Sequence, residues 1–143
     1  MQTKITEALT PEEIARCFPV MRQLRTHFTQ EETFVEQVER QRAQGYRMAF
    51  LEDERGVRAV AGFRIMESLF AGRHCYVDDL VTDVETRSLG YGGELFDWLV
   101  AEARAAGCGK LELDSGVQRF AAHRFYLTKR MLISSHHFSL ELD

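Results

Sequence analysis

The apolar positions of the chain change period as it advances, and each change marks a new kind of element. Thr10-Pro11-Glu12-Glu13 reads as a helix start: a capping hydroxyl, a proline at the first helical position, then acidic first-turn residues. Ile14, Phe18 and Met21 continue that stripe toward Leu24, and Pro19 is expected to bend or divide the helix. A second helix fits residues 29–44, with Phe34, Val35 and Val38 inward and Gly45 as its stop. Ahead of both, residues 3–8 read as a short strand. From residue 46 the pattern turns strand-like. Residues 46–51 and 57–69 form a hairpin about the Glu52-Asp53-Glu54-Arg55-Gly56 turn, Gly72 breaks the second strand, and 74–82 forms a third. Leu95, Phe96, Leu99, Val100 and Ala103 return to three-four spacing, which predicts a helix over 90–106 ended by Gly107. A short strand over 110–114, a helix over 120–128 and strands over 131–134 and 136–142 complete the chain. The expected fold is α/β of the α+β type: one domain over 1–143, with a mixed, mostly antiparallel central sheet flanked by helices.

Composition narrows the function classes. The chain has 143 residues, 45% of them hydrophobic, enough to fill a core without disulfide staples. Lys and Arg total 18 against 22 Asp and Glu, a net charge of −4, which argues against a dedicated nucleic-acid binder. No apolar run approaches the roughly 18–20 residues of a spanning helix, so no membrane partner is expected. Cys17, Cys75 and Cys108 are odd in number and lack C-x-x-C spacing, which excludes a disulfide framework and a structural zinc site. With free thiols and no signal peptide at the start, the expected location is cytoplasmic.

The most informative stretch runs from Asp79 to Leu95, where a strand enters a loop and Gly90, Gly92 and Gly93 open a helix. Unpaired N–H groups at a helix start carry partial positive charge, glycines let an anion approach them, and Arg87 adds a cation. The physical reading is a phosphate or pyrophosphate cradle. A P-loop is excluded because no Gly-Lys-Ser/Thr follows. A dinucleotide fingerprint wants a third glycine where Leu95 stands, although Asp114 fits its acidic position. Arg87, Gly90 and Gly92 instead match Arg-x-x-Gly-x-Gly.

This loop resembles the acetyl-CoA signature of the GNAT superfamily of N-acetyltransferases, with Leu80-Val81-Thr82 as the family's strand segment ahead of it. A second family motif is matched by Ala122 and Phe125-Tyr126, with Arg119 where the family has Asn and Arg130 where it has Gly. The tail through Ser135-His136-His137-Phe138 is similar to small acetyltransferases of the aminoalkylphosphonate type. The resemblance implies a GNAT-like acyl-CoA fold and acetyl transfer from acetyl-CoA directly to a primary amine, with no metal. It implies that Val81 and Thr82 meet the pantetheine arm through their backbone. It also implies that Arg87, Ser88, Leu89, Gly90, Tyr91, Gly92 and Gly93 hold the cofactor's phosphates. A small-molecule amine is the expected partner, and a homodimer is left open.

In this reading the Tyr126 phenol protonates the departing thiolate. The base is Asp78, Asp79, Glu67 or a water chain. Neighbours on a strand project to opposite faces, so only one of Asp78 and Asp79 is expected to face the substrate. By the same rule His136 and His137 do not chelate one ion together, and His123 reads as a packing or surface group. None of the cysteines has the setting of a nucleophile. The rival functions are a non-catalytic acyl-CoA sensor, which would bind without turnover, and a dinucleotide-binding oxidoreductase.

Overall fold

A computed structural model describes residues 2–143. The chain divides after Glu112 into two compact units. The first is built on a sheet whose strands lie in the order β1-β2-β3-β4-β5. They are β1 (Lys4–Glu7), β2 (Tyr46–Asp53), β3 (Gly56–Ser68), β4 (Gly72–Thr82) and β5 (Lys110–Leu113), the last running across the division. The first four pair antiparallel, each with its neighbour in sequence, so the expected meander forms and residues 4–7 add a strand to its edge. The sheet as a whole is mixed.

Alternation along the strands sends side chains to two helical layers. Met48, Phe50, Val60 and Val81 join Ile14, Cys17, Phe18 and Met21 of α1 (Pro11–Met21) and Phe34 and Val38 of α2 (Glu31–Arg42) in one core. The opposite face receives α3 (Tyr91–Ala105), where Trp98 packs edge-on against Phe63 and Glu102 pairs with Arg47. Pro19 does not divide α1, which continues to Met21. Standing in the last turn, it removes one helical hydrogen bond and leaves no further helix to redirect.

In the second unit, α4 (Phe120–Thr128) ends on Arg130, whose φ of 68° is left-handed. The Arg130 and Met131 N–H groups donate to the carbonyls of Leu127 and Tyr126 at 3.0 and 3.1 Å. This is the backbone path that glycine ordinarily takes at a helix end. The strands expected over 131–134 and 136–142 do not form, and every residue from Leu132 onward is exposed. Phe138, Leu140 and Leu142 alternate as a half-buried strand would, but a strand requires a ladder partner for its N–H and C=O groups.

Candidate active site

The centre of β4 departs from regular pleating. Gly62 of β3 opposes Asp79, but the next residue, Phe63, opposes Val77, so Asp78 is an extra residue on β4. Such a bulge interrupts the alternation. Asp78 and Asp79 therefore both line one cavity of about 370 Å³, against the expectation that only one could. Met21 of α1, Phe34 and Val38 of α2, and Arg25 and Phe28 between those helices form much of its wall. Glu67 lies outside this lining, exposed near the β3–β4 turn and opposite Arg73.

The two carboxylates have different surroundings. Asp79 accepts hydrogen bonds from Arg25 Nε and from the Tyr46 hydroxyl, both at 2.7 Å. Tyr46 starts β2, two strands from Asp79, and its side chain crosses β3 to reach it. Gly62 makes that crossing possible, because a Cβ there would lie 1.7 Å from the Tyr46 hydroxyl oxygen. Burial, with the Asp79 carboxylate beside it, pushes the Tyr46 phenol well above its ordinary pKa, so it remains a donor. Asp78 accepts one bond from Arg64 Nε at 3.1 Å. Burial raises the Asp78 pKa above the ordinary aspartate value, and Arg64 opposes that shift only in part.

β4 continues through Val81, buried in the core, to Thr82 and then into a 3-10 helix over Val84–Leu89. Gly90 follows with φ 81° and serves as the N-cap of α3, but no side chain caps the helix there. The first α3 N–H bonded back to the cap is that of Glu94, on the Gly90 carbonyl at 3.1 Å. The donors ahead of it, on Tyr91, Gly92 and Gly93, are those a helix start leaves without an intrahelical partner. Arg87, Ser88 and Leu89 are exposed, and Arg87 makes no salt bridge among the described residues. The Tyr91 side chain turns inward, its hydroxyl on Asp53 at 3.1 Å, so only its backbone is offered outward. Asp53 also pairs with Arg58, which bridges at 2.9 Å to Asp83 at the start of the 3-10 helix. This chain of contacts fixes the loop's path from beneath. Gly92 has a packing role as well, since a Cβ there would lie 2.6 Å from Thr82 Oγ1. The bare donors and the exposed Arg87 fit a pyrophosphate, the group that the glycine loop implied.

Tyr126 belongs to α4 in the second unit, half-buried and stacked edge-on with Phe125. Burial raises its phenol pKa, with Arg119 pulling the other way. His123 contacts the Gly116 carbonyl through Nε2 at 2.8 Å, a local packing contact.

Sequence reasoning did not single out Arg25, Tyr46, Gly62 or Arg64. Gly62, a glycine inside a strand pattern, was the available signal for a bulge or a close approach. The Asp78-Asp79 pair set between the apolar Val77 and Leu80 was the second.

The comparisons agree with this architecture. A model of the acetyltransferase (GNAT) family matches residues 9–131. The chain is 39% identical over 119 residues to the uncharacterized N-acetyltransferase YhdJ of Bacillus subtilis (strain 168), covering 82% of this chain and 83% of that one. Among solved structures, glucosamine-6-phosphate N-acetyltransferase from Arabidopsis thaliana superposes with a TM-score of 0.80 at 23% identity, all of both chains being covered. A transcriptional regulator from Bacillus halodurans C-125 gives 0.86 at 15% identity, covering 99% of this chain and 100% of that one. At those identities the structures speak for the fold alone, whereas the family match and the relative carry the assignment: the chain belongs to the acetyltransferase (GNAT) family and is an N-acetyltransferase.

Proposed function

We propose that this acetyltransferase moves an acetyl group from acetyl-CoA directly to the primary amine of a small molecule. The observation that carries the reading is the bare, glycine-built start of α3 at the end of the same strand whose bulge presents two aspartates to a cavity. The donors of Gly90, Tyr91, Gly92 and Gly93 and the Arg87 guanidinium hold the pyrophosphate, with Ser88 and Leu89 shaping the approach. Val81 and Thr82 offer backbone bonds to the pantetheine arm. Bound acetyl-CoA supplies an activated acyl group as a thioester.

The remaining chemistry is proton movement by this chain. An alkylammonium with pKa near 10 must lose a proton before it can attack. Asp78 is the acceptor: it borders the cavity and holds a single arginine bond, whereas Asp79 has both oxygens engaged. Even a raised aspartate is far more acidic than the ammonium, so Asp78 relays the proton to water rather than keeping it. The Tyr126 phenol donates a proton to the departing thiolate.

The test is thiol release from acetyl-CoA across a panel of small primary amines, run on the wild type and Tyr126→Phe, with acetyl-CoA affinity measured on both. The expected result is amine-dependent release, reduced about 10²- to 10⁴-fold in the variant with affinity nearly unchanged. Tight acetyl-CoA binding without release for any amine would favour the acyl-CoA sensor. An unchanged single-turnover rate in Tyr126→Phe would return that residue to packing.

A further inference from the structure

The cavity over the β4 bulge contains charges that cancel. Arg25 and Arg64 contribute two positive charges, and Asp78 and Asp79 two negative ones, each aspartate bonded to one of the guanidiniums. The other polar groups in the lining are neutral amides and phenols with His27, and the apolar wall comes from residues such as Phe28 and Phe34. A simple monocationic amine would bring one uncompensated positive charge into this neutral site, and a polyamine would bring several. A dianionic partner group would unbalance it in the other direction. An acceptor that carries its own single anion leaves the site neutral.

The donor geometry supplies the matching half. Arg64 gives Nε to Asp78, while Arg25 gives Nε to Asp79 and one terminal nitrogen to the Asp78 carbonyl at 2.8 Å. Both side chains are substantially exposed, 38% for Arg64 and 43% for Arg25. A guanidinium presents five N–H donors in a planar fork suited to a carboxylate, and these bonds use only part of each fork. Because Arg64 Nε lies 3.1 Å from an Asp78 oxygen, an ammonium on Asp78 and an anion on Arg64 would be separated by only a few bonds. The cavity volume, about 370 Å³, also lies at the small end for ligand sites.

Resting on the reading that this cavity receives the acceptor, we infer that the acceptor is a compact zwitterion of the amino-acid class. Its amine lies at Asp78 and its carboxylate on the outward donors of Arg64 and Arg25. Asp79, held between Arg25 and Tyr46, is a positioning residue that keeps the Arg25 guanidinium aimed at the cavity.

The experiment compares acceptors with and without the anion: glycine and β-alanine against their methyl esters, with ethylamine and spermidine as further cations. Thiol release gives kcat and KM for each, on the wild type, Arg64→Gln and Arg64→Lys. The expected wild-type result is kcat/KM at least tenfold higher for the free acids than for their esters, with spermidine the poorest. In Arg64→Gln the preference should collapse through a rise in KM for the acids. Arg64→Lys should restore it only in part, because the charge returns without the fork. Esters or spermidine used as well as the acids by the wild type would overturn the inference and leave the acetyltransferase reading in place. A preference unchanged in Arg64→Gln would overturn the role of that arginine. Thiol release with none of these amines, despite acetyl-CoA binding, would overturn both readings. If the variants do not fold, the wild-type acid-to-ester ratio still decides the substrate class.

Discussion

Two helices of this protein begin in opposite ways. At the start of α1, Thr10 accepts a hydrogen bond from the Glu13 N–H at 3.1 Å, and Glu13 Oε1 accepts from the N–H groups of Leu9 and Thr10 at 3.0 and 3.2 Å. Pro11 adds no donor, and Glu12 and Glu13 answer the positive end of the helix dipole. At the start of α3 the cap is Gly90, no side chain closes the ring, and Tyr91, Gly92 and Gly93 place no carboxylate against the first donors. α2 also lacks a side-chain cap, but it sets Glu31 and Glu32 in its first turn. At α3 the one first-turn acid, Glu94, accepts a hydrogen bond from the Thr3 hydroxyl at 2.6 Å, and the three positions ahead of it are Tyr91, Gly92 and Gly93; α4 also lacks a side-chain cap and a first-turn acid, but has no glycine at its start. A closed start contributes stability. An open one, supported from beneath by Tyr91, Asp53 and Arg58, forgoes that contribution, and under the proposed function its donors meet an external anion.

The largest effect should come from placing a carboxylate in the open start. Gly92→Glu should weaken CoA binding by about 10²-fold, since it removes charge-assisted bonds and adds repulsion. Any side chain there also displaces the Thr82 hydroxyl, so Gly92→Ala is the necessary control. It should lose much less affinity by calorimetry. Equal losses in the two variants would mean that Gly92 acts only in packing.

The closed start should respond in stability alone. Thr10→Ala should cost about 1 kcal/mol, visible as a lowered melting temperature, with CoA affinity unchanged. A change in CoA affinity would break the distinction between the two helix starts. The smallest effect concerns pH. The Leu9 N–H holds the Glu13 carboxyl below the usual range, with burial opposing and Thr10 adding to the shift. A depressed acid contributes stability above its unfolded pKa, about 4.3, and loses it as pH falls through the lower folded value. The melting-temperature difference between wild type and Glu13→Gln should therefore be largest near neutrality and shrink below about pH 4. A difference independent of pH would remove the charge from the capping box.

What was legible in the sequence was local. The Thr10 cap with its acidic first turn, the glycine start of α3 and the meander follow from residue types at short spacing, and each formed. Arg130 stands where glycine was expected and keeps the left-handed backbone, so the helix-end path survives the change of residue. The features that were not legible depend on partners distant in sequence. The bulge at Asp78 is set by pairing against Gly62, and strict alternation therefore misassigned the faces of the two aspartates. Tyr46 reaches Asp79 across 33 positions of chain, over a glycine that signals a close approach in the strand pattern but does not say which side chain makes it. The tail shows the limit from the other side: 136–142 has a strand's alternation, but pattern alone does not supply a ladder partner.

If the open start of α3 binds the pyrophosphate of CoA, calorimetry with CoA and with pantetheine should show it. CoA and pantetheine share the thiol arm; CoA adds the diphosphate together with a 3′-phosphoadenosine, so the Gly92→Glu comparison is what assigns the difference to the diphosphate. CoA should bind at least about 10²-fold more tightly than pantetheine, through several charge-assisted bonds to backbone donors and Arg87. Its advantage should shrink toward that of pantetheine in Gly92→Glu. Equal affinity of the two ligands for the wild-type protein would contradict the claim.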